Sequence, residues 1–310
     1  MWFTGCLLYY KTVSNYSYTA SKNAIQKIYY NVPYGATKPY GQSSDYTYET
    51  VTAQVQDPKM LDYITCATGK INFKTSVRDD LTDAQRLDSV TFYNRDPITK
   101  AFTFEKKVIL YYDDGLKATR LVLDSAREFR SGAYYPATKF VYNGGPPESD
   151  TYKIDYGGYF NNVANTNPLP AFVFGNTVYN EGNSRNPDST VVANGVLKKV
   201  TSPAGGVTTY KFESNTYVAL DTAGHGYNAV APGLRIKRIT QTDPFSNIQA
   251  VTNYEYSGGT LAYQPSYFTT LPVKDVVGGV TYNYNCYIAR SNPVGDGASG
   301  GPPIMYKYVT

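Results

Sequence analysis

The sequence is poor in the residues that most often carry catalysis and metal binding. Its 310 residues include one histidine, three cysteines and one tryptophan. The single histidine, His225, lies between two glycines, and no G-x-S-x-G motif supplies the nucleophile of a hydrolytic triad. The cysteines, Cys6, Cys66 and Cys286, are far apart and lack metal-ligand spacing. We therefore expect no enzymatic activity, no cofactor and no metal site.

Charged residues are scarce as well. Asp, Glu, Lys and Arg make up 17% of the chain, and the formal net charge is +4. The densest basic positions, Lys106–Lys107, Lys198–Lys199 and 235–238, fall in predicted strands, where charges mark the solvated face. Because no basic stripe is present, we expect no nucleic-acid partner. No apolar run reaches about 18 residues, so the sequence predicts no membrane-spanning helix.

Two further catalytic patterns are missing. The adjacent carboxylates Asp79–Asp80 and Asp113–Asp114 would point to opposite faces of a strand, so neither pair forms a dyad that shares a proton. The paired glycines Gly205–Gly206 and Gly278–Gly279 lack the lysine and the helix of a phosphate-binding loop. One enzymatic alternative stays open, because carboxylates from different strands could converge as they do in glycoside hydrolases.

Tyrosine is the residue that the sequence has in excess. The chain contains 33 tyrosines against 13 phenylalanines, and 26 glycines and 18 prolines punctuate it. A tyrosine ring suits a half-buried pleated surface that leaves its hydroxyl in water, and glycine and proline supply turns. With a hydrophobic content of 42%, the composition predicts an ordered all-β protein with little helix.

Two successive strand–turn–strand patterns organise the rest of the chain. Apolar and polar residues alternate from Gly195 to Phe212 and from Gly233 to Tyr256, with a turn pattern inside each stretch. The predicted structural turn residues are Pro203, Gly205 and Gly206 in the first hairpin and Asp243, Pro244 and Asn247 in the second. We expect at least one of the two glycines to adopt a positive φ.

These hairpins carry a resemblance to a known family. The pattern G-x-L-x-x-V-T-x-P-x-G-G, preceded by Asp155–Asn162 and followed by Gly233–Ile239, is similar to that of RHS/YD-repeat proteins. The chain most resembles the large RHS-repeat-associated surface proteins of the Bacteroidota. Gly157 stands where that family usually has a tryptophan, and Ser202 where it often has a tyrosine. The resemblance implies successive antiparallel hairpins in a large twisted or curled sheet, a hollow shell and export, and it defines no catalytic residue.

Aromatic-x-aromatic pairs recur in the predicted strands. Both members of a pair face the same side of a strand, so pairs on neighbouring strands can stack. We predict an aromatic ladder formed by Tyr210, Phe212, Tyr254, Tyr256, Tyr282 and Tyr284. The alternative is a surface platform on which sugar rings stack, completed by the Asn-rich stretch between Asn161 and Asn186.

The chain divides into three parts by composition. Residues 1–60 predict Tyr- and Ser-rich strands and loops, 61–290 a β-hairpin scaffold, and 291–310 a Gly/Pro linker followed by a terminal strand at Ile304–Val309. Residues 163–189, rich in Asn and Pro, predict a long loop of the kind that is usually functional or mobile.

Three local features leave alternatives open. Leu116–Phe129 has helical propensity, but it repeats a Leu-Asp-Ser unit found at Leu87, and this favours a strand. Asp79–Arg86 has room for a single helical turn between hairpins. The cysteines are either small buried side chains or, in an oxidising compartment, include one disulfide.

The predicted function is that of a non-enzymatic β-hairpin scaffold, a segment of an RHS/YD-like cell-surface or secreted protein whose shell carries a C-terminal effector. Its expected partners are neighbouring hairpins of a larger chain, an effector domain or a surface glycan. The alternative is a glycan-binding surface module that uses exposed tyrosines. The segment has no export signal of its own, and its abrupt start and its end after Ile304–Val309 predict a fragment with unpaired edges that self-associates.

Overall fold

The structure, a computed structural model, describes residues 7–12, 17–20, 24–30, 46–50, 53–56, 59–81, 84–113, 120–148, 151–174, 177–246, 248–262, 266–294 and 304–310. All regular secondary structure in these residues is β-strand, so the predicted all-β class is confirmed. The same residues contain no helix long and apolar enough to cross a membrane.

The strands are mostly short and follow one another closely. In chain order they are β1 (Leu7–Thr12), β2 (Ser17–Ala20), β3 (Ala24–Tyr30), β4 (Tyr46–Thr50), β5 (Ala53–Gln56), β6 (Lys59–Thr65), β7 (Gly69–Val77), β8 (Gln85–Arg95), β9 (Phe102–Tyr112), β10 (Leu123–Arg130), β11 (Ala133–Tyr134), β12 (Thr138–Tyr142), β13 (Phe172–Phe174), β14 (Thr177–Tyr179), β15 (Leu197–Thr201), β16 (Val207–Leu220), β17 (Gly226–Thr242), β18 (Gln249–Asn253), β19 (Tyr256–Ser257), β20 (Thr260–Leu261), β21 (Ser266–Val277), β22 (Val280–Val294), β23 (Ile304–Met305) and β24 (Tyr308–Val309).

One large antiparallel sheet has the strand order β1-β6-β7-β8-β9-β10-β12-β15-β16-β17-β18, with β11 paired to β10. From β6 onward the spatial order follows the chain order, as expected for successive hairpins. Because neighbouring strands run in opposite directions, alternate connections lie at the same end of the sheet. The connections after β6, β8, β10, β15 and β17 form what we name the turn end. Those after β7, β9, β12 and β16 form the loop end.

Both faces of the large sheet are half covered, and neither is fully buried. Almost every residue of β8 is partly exposed, and Ser89 is its one buried residue. Side chains of neighbouring strands cover one another: the Tyr9 and Tyr63 rings stack 4.2 Å apart, and the Lys70 ammonium lies 4.1 Å from the centre of the Tyr63 ring. Such cross-strand pairs contribute roughly 0.2–1 kcal/mol each, so many small contacts stabilise the sheet.

The apolar core lies at the loop end, between the connection 143–196 and a second antiparallel sheet of order β21-β22-β3-β4. Leu169 of the connection is 0% exposed and packs with Ala289 of β22, and Phe172 and Tyr179 surround them. The Phe172 ring also lies 4.7 Å from the ring of Phe268 in β21. The described part of the predicted long loop 163–189 is therefore packed against its neighbours.

Two predictions of local structure have different outcomes. The strand favoured over a helix at Leu116–Phe129 is confirmed from Leu123, where β10 begins, and 114–119 lie outside the described residues. The helical turn at Asp79–Arg86 is not formed by the described residues: 79–81 are a bend, and β8 begins at Gln85. The β7–β8 ladder reaches the pair Val77 and Gln85, and the Arg78 N–H donates to the Ala84 carbonyl at 2.9 Å, so these residues continue the hairpin pairing instead of a helix.

The predicted terminal strand is two short strands on either side of a bend. β23 pairs with β20 and β24 pairs with β19, so the prediction of an uncovered strand at Ile304–Val309 is wrong. The Tyr306 hydroxyl links this segment to β16, because it accepts a hydrogen bond from the Thr216 N–H at 3.1 Å. Glycine permits the close approach, since a Cβ on Gly259 would overlap the Thr216 carbonyl oxygen. Most of the predicted Gly/Pro linker, 295–303, lies outside the described residues.

Candidate functional site

Buried asparagine side chains hold the connection 143–196 together where it has no ladder. Asn161 Nδ2 donates to the carbonyl oxygens of Ser184 (3.0 Å) and Asn186 (3.1 Å). Asn165 Nδ2 donates to the carbonyls of Tyr152 (2.9 Å) and Ser184 (3.0 Å), and its Oδ1 accepts the Ser184 N–H at 2.8 Å. These side-chain amides replace the hydrogen bonds of a neighbouring strand, because each has the N–H donors and the carbonyl acceptor that backbone groups pair with.

Asn183 completes the network and closes it around the apolar core. Its Nδ2 donates to the carbonyls of Leu169 (2.8 Å) and Asn167 (3.3 Å), and its Oδ1 accepts the Thr166 N–H at 3.1 Å. The side chain is buried, so water cannot replace these bonds. The polar network and the Leu169 cluster therefore form one packed unit.

Asp155 shapes the turn that enters this unit. Its Oδ1 accepts the N–H groups of Gly157 (2.8 Å) and Tyr159 (2.9 Å). Burial raises the pKa of the Asp155 carboxyl from 3.8 to about 6, against the opposing effect of these bonds and of the nearby Arg185 charge. A Cβ on Gly157 would overlap Pro232, so the position where the family resemblance predicts tryptophan has no room for a side chain.

Arg185 is fixed beside this turn by backbone carbonyls. Its Nε and Nη2 donate to the Asp155 carbonyl oxygen at 3.2 and 2.8 Å, and its Nη1 donates to the Pro168 carbonyl at 2.8 Å. The guanidinium carbon lies 5.9 Å from the centre of the Tyr267 ring. Of the five N–H donors of an arginine, two are left without a partner among the described residues.

A cleft of about 630 Å³ lies between the connection and the β16–β17 hairpin, with Arg185 in its wall. Tyr217 pairs with Ala229 and Tyr227 pairs with Ala219 in the β16–β17 ladder. Because residues two apart on a strand face the same side, both tyrosines and both alanines lie on one face. Each ring therefore stands opposite a small side chain, and this leaves open space between the two strands and the connection.

The cleft combines flat aromatic surface with unused polar groups. Tyr227 is 54% exposed, and the hydroxyls of Tyr217 and Tyr227 make no hydrogen bond to the described residues. The exposed Asn186 side-chain amide, also in the cleft wall, has no partner among them either. Sequence analysis missed these residues. The reciprocal Tyr-x-Ala pattern at Tyr217 and Tyr227 was the available signal, because antiparallel pairing sets each tyrosine against an alanine.

The predicted turn residues of the first hairpin connect β15 to β16 at the turn end. Pro203 lies in this turn, which closes when Ser202 N–H donates to the Gly206 carbonyl at 2.8 Å. Gly205 adopts φ +89°, whereas Gly206 has no positive φ. A Cβ on Gly205 would lie 3.2 Å from Pro244 Cβ, so the two predicted turns are neighbours.

The second turn is organised by one carboxylate. Asp243 Oδ1 accepts the N–H groups of Phe245 (2.9 Å) and Ser246 (2.8 Å), and these bonds lower the pKa of the Asp243 carboxyl. Pro244 follows Asp243 directly in this turn, and Asn247 falls outside the described residues. The glycines Gly278–Gly279 form a similar tight turn between β21 and β22, with φ +57° and +84°.

The six residues of the predicted aromatic ladder do not form one ladder. The Tyr210 and Phe212 rings lie 6.4 Å apart in β16, and the Tyr256 ring of β19 lies 5.1 Å from that of Tyr306. Tyr254 follows β18, whereas Tyr282 and Tyr284 lie in β22 of the second sheet. The prediction failed because the chain leaves the large sheet after β18, so pairs that are neighbours in sequence lie in different sheets.

The residues considered for chemistry remain dispersed. The side chain of His225 is 81% exposed, and its Nδ1 lies 3.3 Å from Asp221 Oδ2. No group of three His, Cys, Asp or Glu side chains among the described residues could hold a metal ion. Cys66 is disulfide-bonded, Cys286 is free and buried, and Cys6 lies outside the described residues.

The adjacent carboxylate pairs are structural where they are described. Asp80 Oδ2 lies 2.6 Å from Arg78 Nη2 and accepts the Leu121 N–H at 2.8 Å. The hydrogen bond from Arg78 is the main cause that lowers the Asp80 pKa, so this carboxylate stays ionised and anchors the loop end. Asp113 donates its N–H to the Val122 carbonyl, and Asp114 lies outside the described residues.

Comparisons with known proteins add little to this description. No family model matches the sequence, and no curated protein matches it. Among solved structures, the chain is similar to a porin-like protein from Bacteroides uniformis, with a TM-score of 0.20 and 8% sequence identity, over 89% of this chain and 99% of that one. A TM-score of this size does not show a shared fold, so the likeness carries no argument about function.

Proposed function

We propose that the chain is a non-enzymatic β-hairpin scaffold, a segment of an RHS/YD-like protein that is displayed on the cell surface or secreted. Its partners are neighbouring hairpins of a larger chain and an effector domain that the assembled shell carries. The observation that supports this proposal is the order of the large sheet. Each strand from β6 to β18 pairs with the next one along the chain, once the short strands β11, β13 and β14 are set aside.

A sheet of this kind grows by addition of hairpins at its edge. All five residues of the edge strand β18 are exposed, and no strand of the described residues lies beside its outer edge in the large sheet. Unpaired backbone groups on such an edge favour pairing with a further strand. The half-covered faces also suit a wall whose two sides both meet solvent or a loosely held cargo, because they require no second layer.

An immunoblot of the native cells tests the scaffold proposal. Antibodies against the 310-residue chain should detect a polypeptide larger than 34.3 kDa, and protease added to intact cells should remove it. A band at 34.3 kDa that is protected until the cells are lysed would overturn the proposal.

A second candidate function, glycan binding, is favoured by the cleft. Exposed tyrosine rings beside unbonded amide and hydroxyl groups suit a saccharide, which offers apolar ring faces and many hydroxyls. The test is a glycan array probed with the labelled chain and with Tyr227→Ala. Binding that this variant loses supports the function, whereas a chain that binds no glycan excludes it.

A further inference from the structure

We propose that the cleft selects saccharides that carry a carboxylate, such as hexuronate units, and that Arg185 is the group that recognises the acid. This inference deepens the glycan-binding function and rests on it. It concerns the choice of ligand, and it stands apart from the scaffold proposal.

The charge of the cleft wall is the first reason. Arg185 is its one ionisable group other than tyrosines among the described residues, and no carboxylate of the described residues lines the cleft. Arg185 is 9% exposed and makes no ion pair with them, because its bonds go to the carbonyls of Asp155 and Pro168. Carbonyl dipoles position a guanidinium without cancelling its charge, and the nearby Asp155 carboxyl, which interacts with that charge but forms no ion pair with it, offsets only part of it. An anion that reaches this wall therefore meets a net positive charge that is poorly screened by water.

The geometry of the donors is the second reason. Three N–H groups of Arg185 are engaged by the backbone, and two remain for a ligand. A planar guanidinium that is already held in place loses little freedom on binding, and its donors match the two oxygens of a carboxylate. A neutral sugar hydroxyl would use one donor and leave the charge uncompensated.

The opposite wall supplies what the rest of a sugar needs. Tyr217 and Tyr227 present rings on the same face, separated by Ala229 and Ala219, so a pyranose ring can lie against one of them. On the connection side, next to Arg185, the Asn186 amide offers two N–H donors and one acceptor to sugar hydroxyls. The carboxylate of the ligand would thus contact Arg185 on one wall, and its sugar ring would contact a tyrosine on the other wall. A ligand with both an anionic group and an apolar ring face fits this arrangement.

Titration calorimetry with trigalacturonate and its methyl ester tests the inference. The two ligands have the same rings, but the ester has no charge, so the acid should bind at least about ten-fold more tightly, because a charged hydrogen bond is worth roughly 1.5–3 kcal/mol. Equal affinity for the two ligands would overturn the acid selectivity and leave glycan binding intact. Failure to bind this pair and the matching glucuronate pair would also overturn it, while the array would still report on the broader function.

Variants assign the binding to the cleft. Arg185→Lys keeps the positive charge but loses the paired N–H donors of the guanidinium, so it should reduce the preference for the acid over the ester. Because Arg185 also bonds the backbone, that variant needs a thermal melt to show that it is folded. Tyr227→Ala removes an exposed ring, so the variant should fold normally and bind the acid and the ester more weakly by the same factor. Acid binding that neither folded variant changes would place the site elsewhere and overturn the assignment.

Discussion

The large sheet and the connection 143–196 are stabilised by different means. The sheet consists of backbone ladders whose side chains are mostly half exposed on both faces, as along β8. The connection has only the short β13–β14 ladder among its described residues, and yet it contains the fully buried Leu169 and the buried Asn161 and Asn183. Its backbone is bonded by side-chain amides instead of by strands.

This difference determines how each region responds to damage. In the sheet the free energy of folding is spread over many cross-strand pairs, so each substitution removes one small contact. In the connection each asparagine satisfies two or more buried groups, and its loss leaves all of them unpaired in a place that water cannot reach. We therefore expect the connection to contain the most sensitive positions in the chain.

Asn183→Ala should give the largest effect. It removes bonds to the Leu169 and Asn167 carbonyls and to the Thr166 N–H, so we expect a loss of about 3–5 kcal/mol in the free energy of unfolding. Urea denaturation measures it. Asn186→Ala is the matched control, because its exposed amide bonds no described residue, and its midpoint should stay near that of the wild type. Equal effects of the two variants would remove the contrast between the two regions.

Asp155→Asn should change how stability depends on pH. Well below the ordinary pKa of 3.8 the carboxyl is protonated in both states, but between that value and its folded pKa of about 6 it ionises mainly in the unfolded chain, which favours unfolding. Stability should therefore fall as pH rises from about 4 to 7, by as much as roughly 3 kcal/mol from this group. The asparagine variant should lack that component. Asp243→Asn is the control of opposite sign, because the Asp243 pKa is lowered and its contribution is lost toward acid.

Gly205→Val probes the turn end of the sheet and should have a smaller effect. Gly205 has φ +89°, which a β-branched residue adopts at a cost of about 1–2 kcal/mol. Gly206→Val should cost less, because Gly206 has no positive φ and the nearest atom to its Cβ would be the Ser202 hydroxyl oxygen at 3.2 Å. Thermal melts of the two variants give the order, and the reverse order would contradict the turn geometry.

His225→Ala should have the smallest effect. Its ring is 81% exposed in the loop between β16 and β17, and its contact with Asp221 is open to solvent. We expect an unchanged melting midpoint and unchanged glycan affinity. A hydrolytic activity that this variant abolished would show that the chain is an enzyme after all.

Local chemistry was readable from the sequence wherever a short motif closes on itself. Asp96 Oδ1 accepts the N–H groups of Ile98 and Thr99, in the same way that Asp243 accepts those of Phe245 and Ser246. Both turns follow the pattern Asp-Pro-apolar-hydroxyl, and proline and the carboxylate form the turn without help from the rest of the chain. Period-two alternation likewise predicted hairpins and the all-β class, because the pleat depends on nearest neighbours.

The distribution of the aromatic pairs over different sheets, the packed connection and the cleft could not be predicted in this way. An Asn-rich stretch has the composition of a solvated loop, and only the meeting of Asn161 with Ser184, and of Asn183 with Leu169, makes it a buried unit. Arg185, Tyr217 and Tyr227 line one cleft because the β16–β17 hairpin and the connection meet at the loop end. Periodicity reports which way a side chain points, whereas the identity of its distant neighbour depends on how the strands assemble.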